Sequence, residues 1–427
     1  VQVLYTLIYL HLLPFIVLRL LWRAQKAPAY ARRINERFAR VPQRKDAAPL
    51  IWVHAVSVGE VIAAIPLVKQ LQSQYPEHKI CITTTTPTGS DRVKAAFADS
   101  VLHYYLPYDV PSLCAVFIRA IKPEALIIME TELWPNLLQV CSDQKIPVIL
   151  ANGRMSERSA RGYRRFSALT RPMLQRLSFI AAQSEQDAQR FINLGADKEK
   201  VVVTGSIKFD IHLSDAIEQR LVELKQQLQW HDKKRACVVF ASTHPGEDEQ
   251  ILPMVKKLSQ QYPQLLAFIV PRHPERFPVV ADLAKQHGLH TVRVSEQQAI
   301  SETTQLLLGD TMGDMLAFYG LADVAFIGGS LIKHGGHNML EAAVWRLPIL
   351  SGQHVFNFQS VADNLQQAGA LQLLVDSDGL EKVLADYLSG KEDFAGMGEK
   401  AADVLEENQG GLERLLQSLE PYLSAEQ

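Results

Sequence analysis

The sequence predicts an α/β protein with two parallel sheets, one in each half of the chain, behind an apolar N-terminal helix. Three observations carry that reading. From Leu50 to Leu388 short apolar runs alternate with amphipathic segments, the pattern of parallel strands covered on both faces. The alternation pauses once, at a polar helical stretch Leu213–Gln229 that ends in the basic turn His231–Arg235, and then restarts. Val1–Leu18 is almost wholly apolar, interrupted by His11 and Pro14.

At 427 residues the chain is too long for one ordinary domain. Its 47% hydrophobic content supplies full cores, and a net charge of −2 gives no case for nucleic acid as a partner. Cys81, Cys114, Cys141 and Cys237 are scattered, form no CxxC pair and sit in apolar contexts, as reduced core thiols do.

The N-terminal run, residues 1–21, reads as a membrane anchor, although a full span needs roughly 20 apolar residues. Residues 22–49 form a basic juxtamembrane segment. Around this boundary Arg19, Arg23, Lys26, Arg32, Arg33, Arg37 and Arg40 are opposed only by Glu36. Basic residues on this side predict that the rest of the chain stays cytoplasmic. A signal peptide ending at Ala27-Pro28-Ala29 is disfavoured by the missing basic n-region. A helix lying in the inner leaflet is the alternative, and in either case the basic cluster meets anionic headgroups. Both sheets lie beyond Lys45, so the fold is expected to survive removal of everything before it.

Strands are expected at Ile51–Val56, Lys79–Thr84, Val101–Leu106, Ala125–Met129, Val148–Ala151, Phe179–Ala182 and Val201–Thr204. Helical segments between them include Gly89–Phe97, Pro111–Ile121, Leu133–Gln144, Ala160–Leu177 and Glu185–Leu194. These make a first domain, 50–212, and residues 213–235 read as a linker. The second domain, 236–427, offers strands at Cys237–Ala241, Leu265–Val270, His290–Val294, Gln305–Leu308, Val324–Ile327, Pro348–Leu350 and Leu371–Val375. A helical C-terminus, Ala395–Leu423, is expected to return across the domains. Two such sheets in tandem make a cleft between domains the expected ligand site.

Chemistry concentrates at strand ends. After the first strand, Ser57-Val58-Gly59 leads into a helix whose first turn carries Glu60. That carboxylate is placed to act as a base, or only to cap the helix. Glu130 and Lys208 follow two further strands of the same domain; charges there are unusual unless they serve a ligand. In the second domain Pro271-Arg272 and Met312-Gly313-Asp314 also follow strands. Gly335-Gly336-His337 then runs into a helix expected over Asn338–Trp345, with Asn338, Met339, Leu340 and Glu341 at its start. Glycines before a helix N-terminus leave N–H groups for an anion. His334 and His337 have no third metal ligand in view, and a hydrogen-bonding role fits them better. Asp376 and Asp378 fit a solvated loop.

Together these stretches resemble the 3-deoxy-D-manno-octulosonic acid (Kdo) transferases. The motifs are KAPAY at Lys26–Tyr30, AVSVGE at Ala55–Glu60, METELWP at Met129–Pro135, TGSIKFD at Thr204–Asp210, PRHPERFP at Pro271–Pro278, GDTMGD at Gly309–Asp314 and GGHNMLEAA at Gly335–Ala343. The resemblance implies a GT-B glycosyltransferase, with two Rossmann-like domains facing a cleft. It implies CMP-Kdo as donor, lipid IVA as acceptor, inversion at the anomeric carbon, and neither cofactor nor metal. Glu60 matches the general base. Glu130 and Lys208 match positions credited with transition-state stabilisation. Pro271, Arg272, Met312, Gly313, Asp314, Asn338, Met339, Leu340 and Glu341 match the CMP contacts. Asp314 stands where other members carry Glu. Two readings compete: another nucleotide-sugar transferase or epimerase on this architecture, and a non-catalytic, membrane-tethered nucleotide-binding protein.

Overall fold

A computed structural model describes residues 1–230, 235–392 and 394–423; most of the expected basic turn, residues 231–234, lies outside the described residues. The chain divides into two compact units, Val1–Asp210 with Gln409–Gln427, and Ile211–Asn408.

The first unit holds a sheet of seven parallel strands: β1 (Leu50–His54), β2 (Lys79–Thr84), β3 (Leu102–Tyr105), β4 (Ala125–Met129), β5 (Val148–Gly153), β6 (Phe179–Ala182) and β7 (Val201–Val203), in the order β3-β2-β1-β4-β5-β6-β7. Strand side chains alternate between faces, and here each face meets its own core. Leu50 and Trp52 of β1 join one apolar cluster with Phe117, Leu137 and Phe191. Ile51 and Val53 join another with Leu67, Val68 and Leu71 of the helix that follows. Burial on both faces explains why β1 reads as a continuous apolar run.

The apolar N-terminal run forms one helix, α1 (Gln2–Lys26). By length and composition it is able to cross a membrane. The residues after it are part of the body: Arg37 is 5% exposed and donates to the Thr85 carbonyl at 2.7 Å. Arg33 reaches the His103 carbonyl at 2.7 Å, and the Tyr105 N–H donates to Glu36 at 2.8 Å. The core of this unit thus begins well before Lys45.

The second unit repeats the plan with β8 (Ala236–Thr243), β9 (Leu265–Pro271), β10 (Thr291–Arg293), β11 (Leu306–Leu308), β12 (Val324–Ile327), β13 (Ile349–Gly352) and β14 (Leu371–Leu374), all parallel, in the order β10-β11-β9-β8-β12-β13-β14. In both sheets a topological switch lies beside the central strand, where the chain leaves one half of the sheet for the other.

Three expectations are corrected in detail. The stretch expected as a linker contains the helix Asp215–Gln227, which is integral to the second unit: Leu224 and Leu228 are fully buried, and Gln227 donates to the Val294 carbonyl at 2.7 Å. The C-terminal helix is two, Met397–Asn408 and Gly411–Leu423, parted where Gly410 takes φ +82°. The second of them packs Leu415, Leu416, Leu419 and Leu423 into the core of the first sheet. The helix expected over Ala160–Leu177 is also two, Glu157–Arg165 and Ser167–Gln175, with Phe166 outside helical geometry between them.

Candidate active site

All strands of the first sheet run the same way, so the residues that follow them gather at one edge. There β1 passes into α2 (Val58–Gln74) through a complete capping box. Ser57 Oγ donates to Glu60 Oε1 at 2.8 Å, and Glu60 N reaches Ser57 Oγ at 3.5 Å. The Val56 N–H donates to Glu60 Oε2 at 2.8 Å. Glu60 therefore does cap its helix, and the cap fixes where its carboxylate points.

Electrostatics separates this residue from an ordinary cap. Burial pushes the Glu60 carboxyl up to about 7, against the pull of the Val56 and Ser57 donors, and the nearby Glu132 and Glu130 carboxylates add to the rise. A carboxyl that titrates near neutrality is matched to taking a proton at working pH. Glu132 is itself pushed up, by burial and then by Glu130. Glu132, within the METELWP stretch, is thus the third carboxylate at this edge.

Glu130 directly follows β4 and takes φ +57°, a left-handed conformation that is strained for a residue with a Cβ. Its Oε1 lies 2.9 Å from Lys208 Nζ. Lys208 sits in the short turn Ile207–Phe209 after β7, the outermost strand and three places from β4 in the sheet. That turn is held on several sides. Asn152 Oδ1 accepts from Ile207 N at 3.3 Å. Arg414 of the last helix donates to the Thr204 carbonyl at 2.8 Å, and Asp210 accepts from Gly410 N and Leu412 N, each at 2.6 Å. The conformation of the TGSIKFD stretch thus depends on residues two hundred positions later in the chain. The first unit brings Glu60, Glu130 and Lys208 to one edge.

In the second unit the corresponding edge is organised by a carboxylate that the sequence analysis did not single out. Glu247 is fully buried and accepts from four backbone N–H groups: His244 at 3.1 Å, Gly329 at 2.6 Å, and Ser330 and Leu331 at 3.0 Å each. It ties the loop after β8 to the Gly328-Gly329-Ser330 loop after β12. Gly328 is required there because a Cβ would meet the Ser242 carbonyl oxygen at 2.7 Å. Arg272 follows β9, its N–H held by the Thr243 carbonyl at 2.9 Å.

Around these loops four imidazoles collect. His244, after β8, supplies the neighbour that the sequence analysis lacked for His334 and His337; it too sits at a strand end, the signal that singled out Arg272. The three rings place nitrogens within 4.8 Å of one another. His244 Nε2 and His337 Nε2 lie 2.8 Å apart in coplanar rings with centroids at 5.0 Å. That head-to-head arrangement is a hydrogen bond, whereas a zinc ion needs each nitrogen about 2.0–2.1 Å away with lone pairs converging on it. His334 lies over the His244 ring with centroids 3.8 Å apart, and His273 meets it edge-on at 5.3 Å. Burial, then neighbouring imidazoles and Arg272, push His337 down to about 3; burial and the same kinds of neighbour bring His244 to about 4. Both rings are therefore held neutral, each with one nitrogen to donate and one to accept.

The remaining expected nucleotide contacts divide. The helix expected over Asn338–Trp345 is a single turn, Leu340–Ala343, so its dipole is short. Met339 and Leu340 are fully buried core side chains, and Leu340 N is taken by Asn338 Oδ1 at 3.2 Å. Glu341 is kept above the usual carboxylate range by burial, against Asn338 and Arg272. Met312 is 61% exposed at a loop tip, next to Gly313 at φ +90°. Asp314 is engaged: Arg220 grips it with two contacts of 2.9 Å and Thr311 donates at 2.6 Å, which lowers its carboxyl in spite of burial. Asp376 caps the helix Ser377–Leu388, accepting from Gly379 N at 2.9 Å.

Residues 32–211 match the family model described as 3-Deoxy-D-manno-octulosonic-acid transferase (kdotransferase). The chain is 45% identical over 400 residues to the 3-deoxy-D-manno-octulosonic acid transferase of Haemophilus influenzae, covering 93% of each chain. It is 32% identical over 432 residues to that of Bordetella pertussis, covering 98% of this chain and 99% of the relative. A crystal structure of Acinetobacter baumannii MurG superposes with a TM-score of 0.56 at 14% identity, over 87% of this chain and 99% of MurG. A UDP complex of Staphylococcus aureus MnaA superposes at 0.54 and 15% identity, over 88% and 97%. These likenesses fix the architecture as GT-B, and identity across nearly the whole of both chains fixes the family: this chain belongs to the 3-deoxy-D-manno-octulosonic acid transferases, which are glycosyltransferases.

Proposed function

We propose that the chain moves Kdo from CMP-Kdo to lipid IVA with inversion, and that Glu60 is the general base. The observation that carries this reading is the Glu60 carboxyl, fixed by its capping box and pushed up to about 7 by burial. An acceptor hydroxyl is a poor nucleophile until a base takes its proton. The hydroxyl oxygen attacks the anomeric carbon, the bond from that carbon to the phosphate oxygen breaks, CMP leaves with the electron pair, and the proton passes to Glu60. CMP is a good leaving group and needs no acid to protonate it. In this reading the charge it gains is offset by Arg272 and Lys208. Lys208 also holds Glu130 beside the base. The acceptor is a phosphorylated membrane lipid, which suits an apolar helix followed by basic residues, with the catalytic units at the cytoplasmic face of an inner membrane.

The test is mass spectrometry of lipid IVA incubated with CMP-Kdo and the chain, with UDP-sugars in a parallel reaction. Addition of Kdo only with the CMP donor supports the reading. Transfer from a UDP-sugar, or no transfer, overturns it.

A further inference from the structure

Two features set the apolar helix α1 apart from a lone membrane-crossing helix. First, its half-buried residues are Gln2, Tyr5, Thr6, Tyr9, Leu13, Ile16, Val17, Leu20 and Ala24, a stripe at helical spacing along its whole length. One face therefore lies against protein from end to end. Second, its first two turns are bonded into the body of the first unit. Gln2 and Thr6 each donate to Asn136 Oδ1 at 2.8 Å, Tyr5 donates to Asp109 Oδ2 at 2.8 Å, and Tyr9 OH accepts from Asp109 N at 3.2 Å. Asp109 and Asn136 are 3% and 1% exposed and bonded to each other. The segment after the helix is pinned as well, through Arg33, Glu36 and Arg37.

We propose that α1 lies in the plane of one leaflet, along the C-terminal edge of the first sheet, and does not cross the bilayer. A crossing helix puts about 30 Å of hydrocarbon between its ends. Residues 2–9 would then be separated from Asp109 and Asn136, and four polar side chains would lose their partners inside lipid. The occupant of the outward face is lipid. That face carries Leu4, Leu7, Phe15 and Leu18, each at least 59% exposed, and the exposed Arg19, Arg23 and Arg32 beside it suit anionic headgroups.

The position of the helix bears on the chemistry. Asp109 follows β3, and Asn136 opens the helix that follows β4. They belong to the same edge of the sheet as Glu60 and Glu130, so α1 holds that edge at the lipid surface. An acceptor whose headgroup stays at the interface then reaches the carboxylates without leaving the membrane. This last clause rests on the proposed transfer to a lipid; the placement of the helix does not.

The experiment uses the full chain bound to vesicles of phosphatidylethanolamine and phosphatidylglycerol, with the catalytic units outside. Leu4→Cys, Leu12→Cys and Leu18→Cys are each labelled with an environment-sensitive fluorophore; all four native cysteines are buried, so labelling is selective. Lipids brominated at shallow and deep positions read the depth, and an impermeant reductant added outside reads the side. The in-plane helix gives shallow depth at all three sites, equal at Leu4 and Leu18 near its two ends, and reaction with the reductant at all three. A deepest label at Leu12 with protection at Leu4 overturns it, as does no binding to vesicles. Transfer to lipid IVA is measured on the same samples: shallow depth without transfer sinks the reaction and leaves the helix placement standing, and transfer with a crossing profile does the reverse.

Discussion

Glu60 and Ser57 hold each other across the first turn of α2, the serine hydroxyl donating to the carboxylate at 2.8 Å and accepting from the Glu60 N–H at 3.5 Å. A capping box accepts Gln as well as Glu at this position. Glu60→Gln is therefore expected to keep the helix start, fold normally and lose transfer by about 10²–10⁴-fold. Glu60→Ala should lose transfer and also about 1 kcal/mol of stability with the cap. Denaturant melts beside steady-state rates check both. Transfer within a few-fold of wild type in either variant removes Glu60 from the base role.

The same carboxyl predicts a pH effect on stability. Its folded value, about 7, lies above its ordinary 4.5, so the folded chain binds this proton more tightly than the unfolded chain. The contribution is full below about 4.5 and is lost as pH rises towards 7. Glu60→Gln carries no such dependence. Relative to wild type it should gain stability between pH 5 and pH 8, and a constant difference in melting midpoint would contradict the assignment.

Lys208→Ala leaves the Glu130 carboxylate uncompensated beside Glu60. Transfer should fall with little change in CMP affinity, and the acid limb of the rate should move to higher pH because the added negative charge holds the Glu60 proton. Arg272→Ala should weaken both CMP binding and turnover. Calorimetry with CMP and pH–rate profiles separate the two. Equal loss of CMP affinity in Lys208→Ala would make Lys208 a ground-state phosphate ligand.

Turnover is expected to survive excess EDTA, since in the proposed reaction Arg272 and Lys208 supply the positive charge that a single departing phosphate needs. The His244–His337 contact at 2.8 Å is a hydrogen bond as it stands. Loss of activity in EDTA with recovery on added metal would direct attention to His244, His334 and His337.

Truncation should discriminate between start points. A chain beginning at Ala27 keeps Arg33, Glu36 and Arg37, whose side chains bond the backbone at Thr85, His103 and Tyr105. A chain beginning at Lys45 loses them and should melt lower or aggregate. Equal melting temperatures would show that this segment adds nothing to the core.

These predictions draw unequally on sequence and structure. Every strand of both sheets was legible, because burial on two faces turns a parallel strand into an apolar run such as Leu50-Ile51-Trp52-Val53. Glu60, Arg272 and Lys208 were legible from their place after a strand. The pairing of Glu130 with Lys208 was not, since strand order brings together residues 78 positions apart. Nothing local marks Glu247, because three of its four backbone donors come from a loop more than eighty positions later. Nor does any local pattern join His244 to its hydrogen-bond partner His337, which lies 93 positions away. Asp314 matched a nucleotide contact in sequence, whereas its carboxylate is gripped by Arg220, whose role no local pattern announces.

The central claim is that Glu60 takes the acceptor proton at a carboxyl tuned by burial. The direct measurement is the pH dependence of kcat/KM for transfer to lipid IVA, from about pH 5 to 9, in wild type and Glu60→Gln. The account predicts a wild-type rate that rises tenfold per pH unit on the acid side and levels near pH 7, and a residual Glu60→Gln rate without that limb. A limb that persists unchanged in Glu60→Gln would place the base elsewhere and contradict the account.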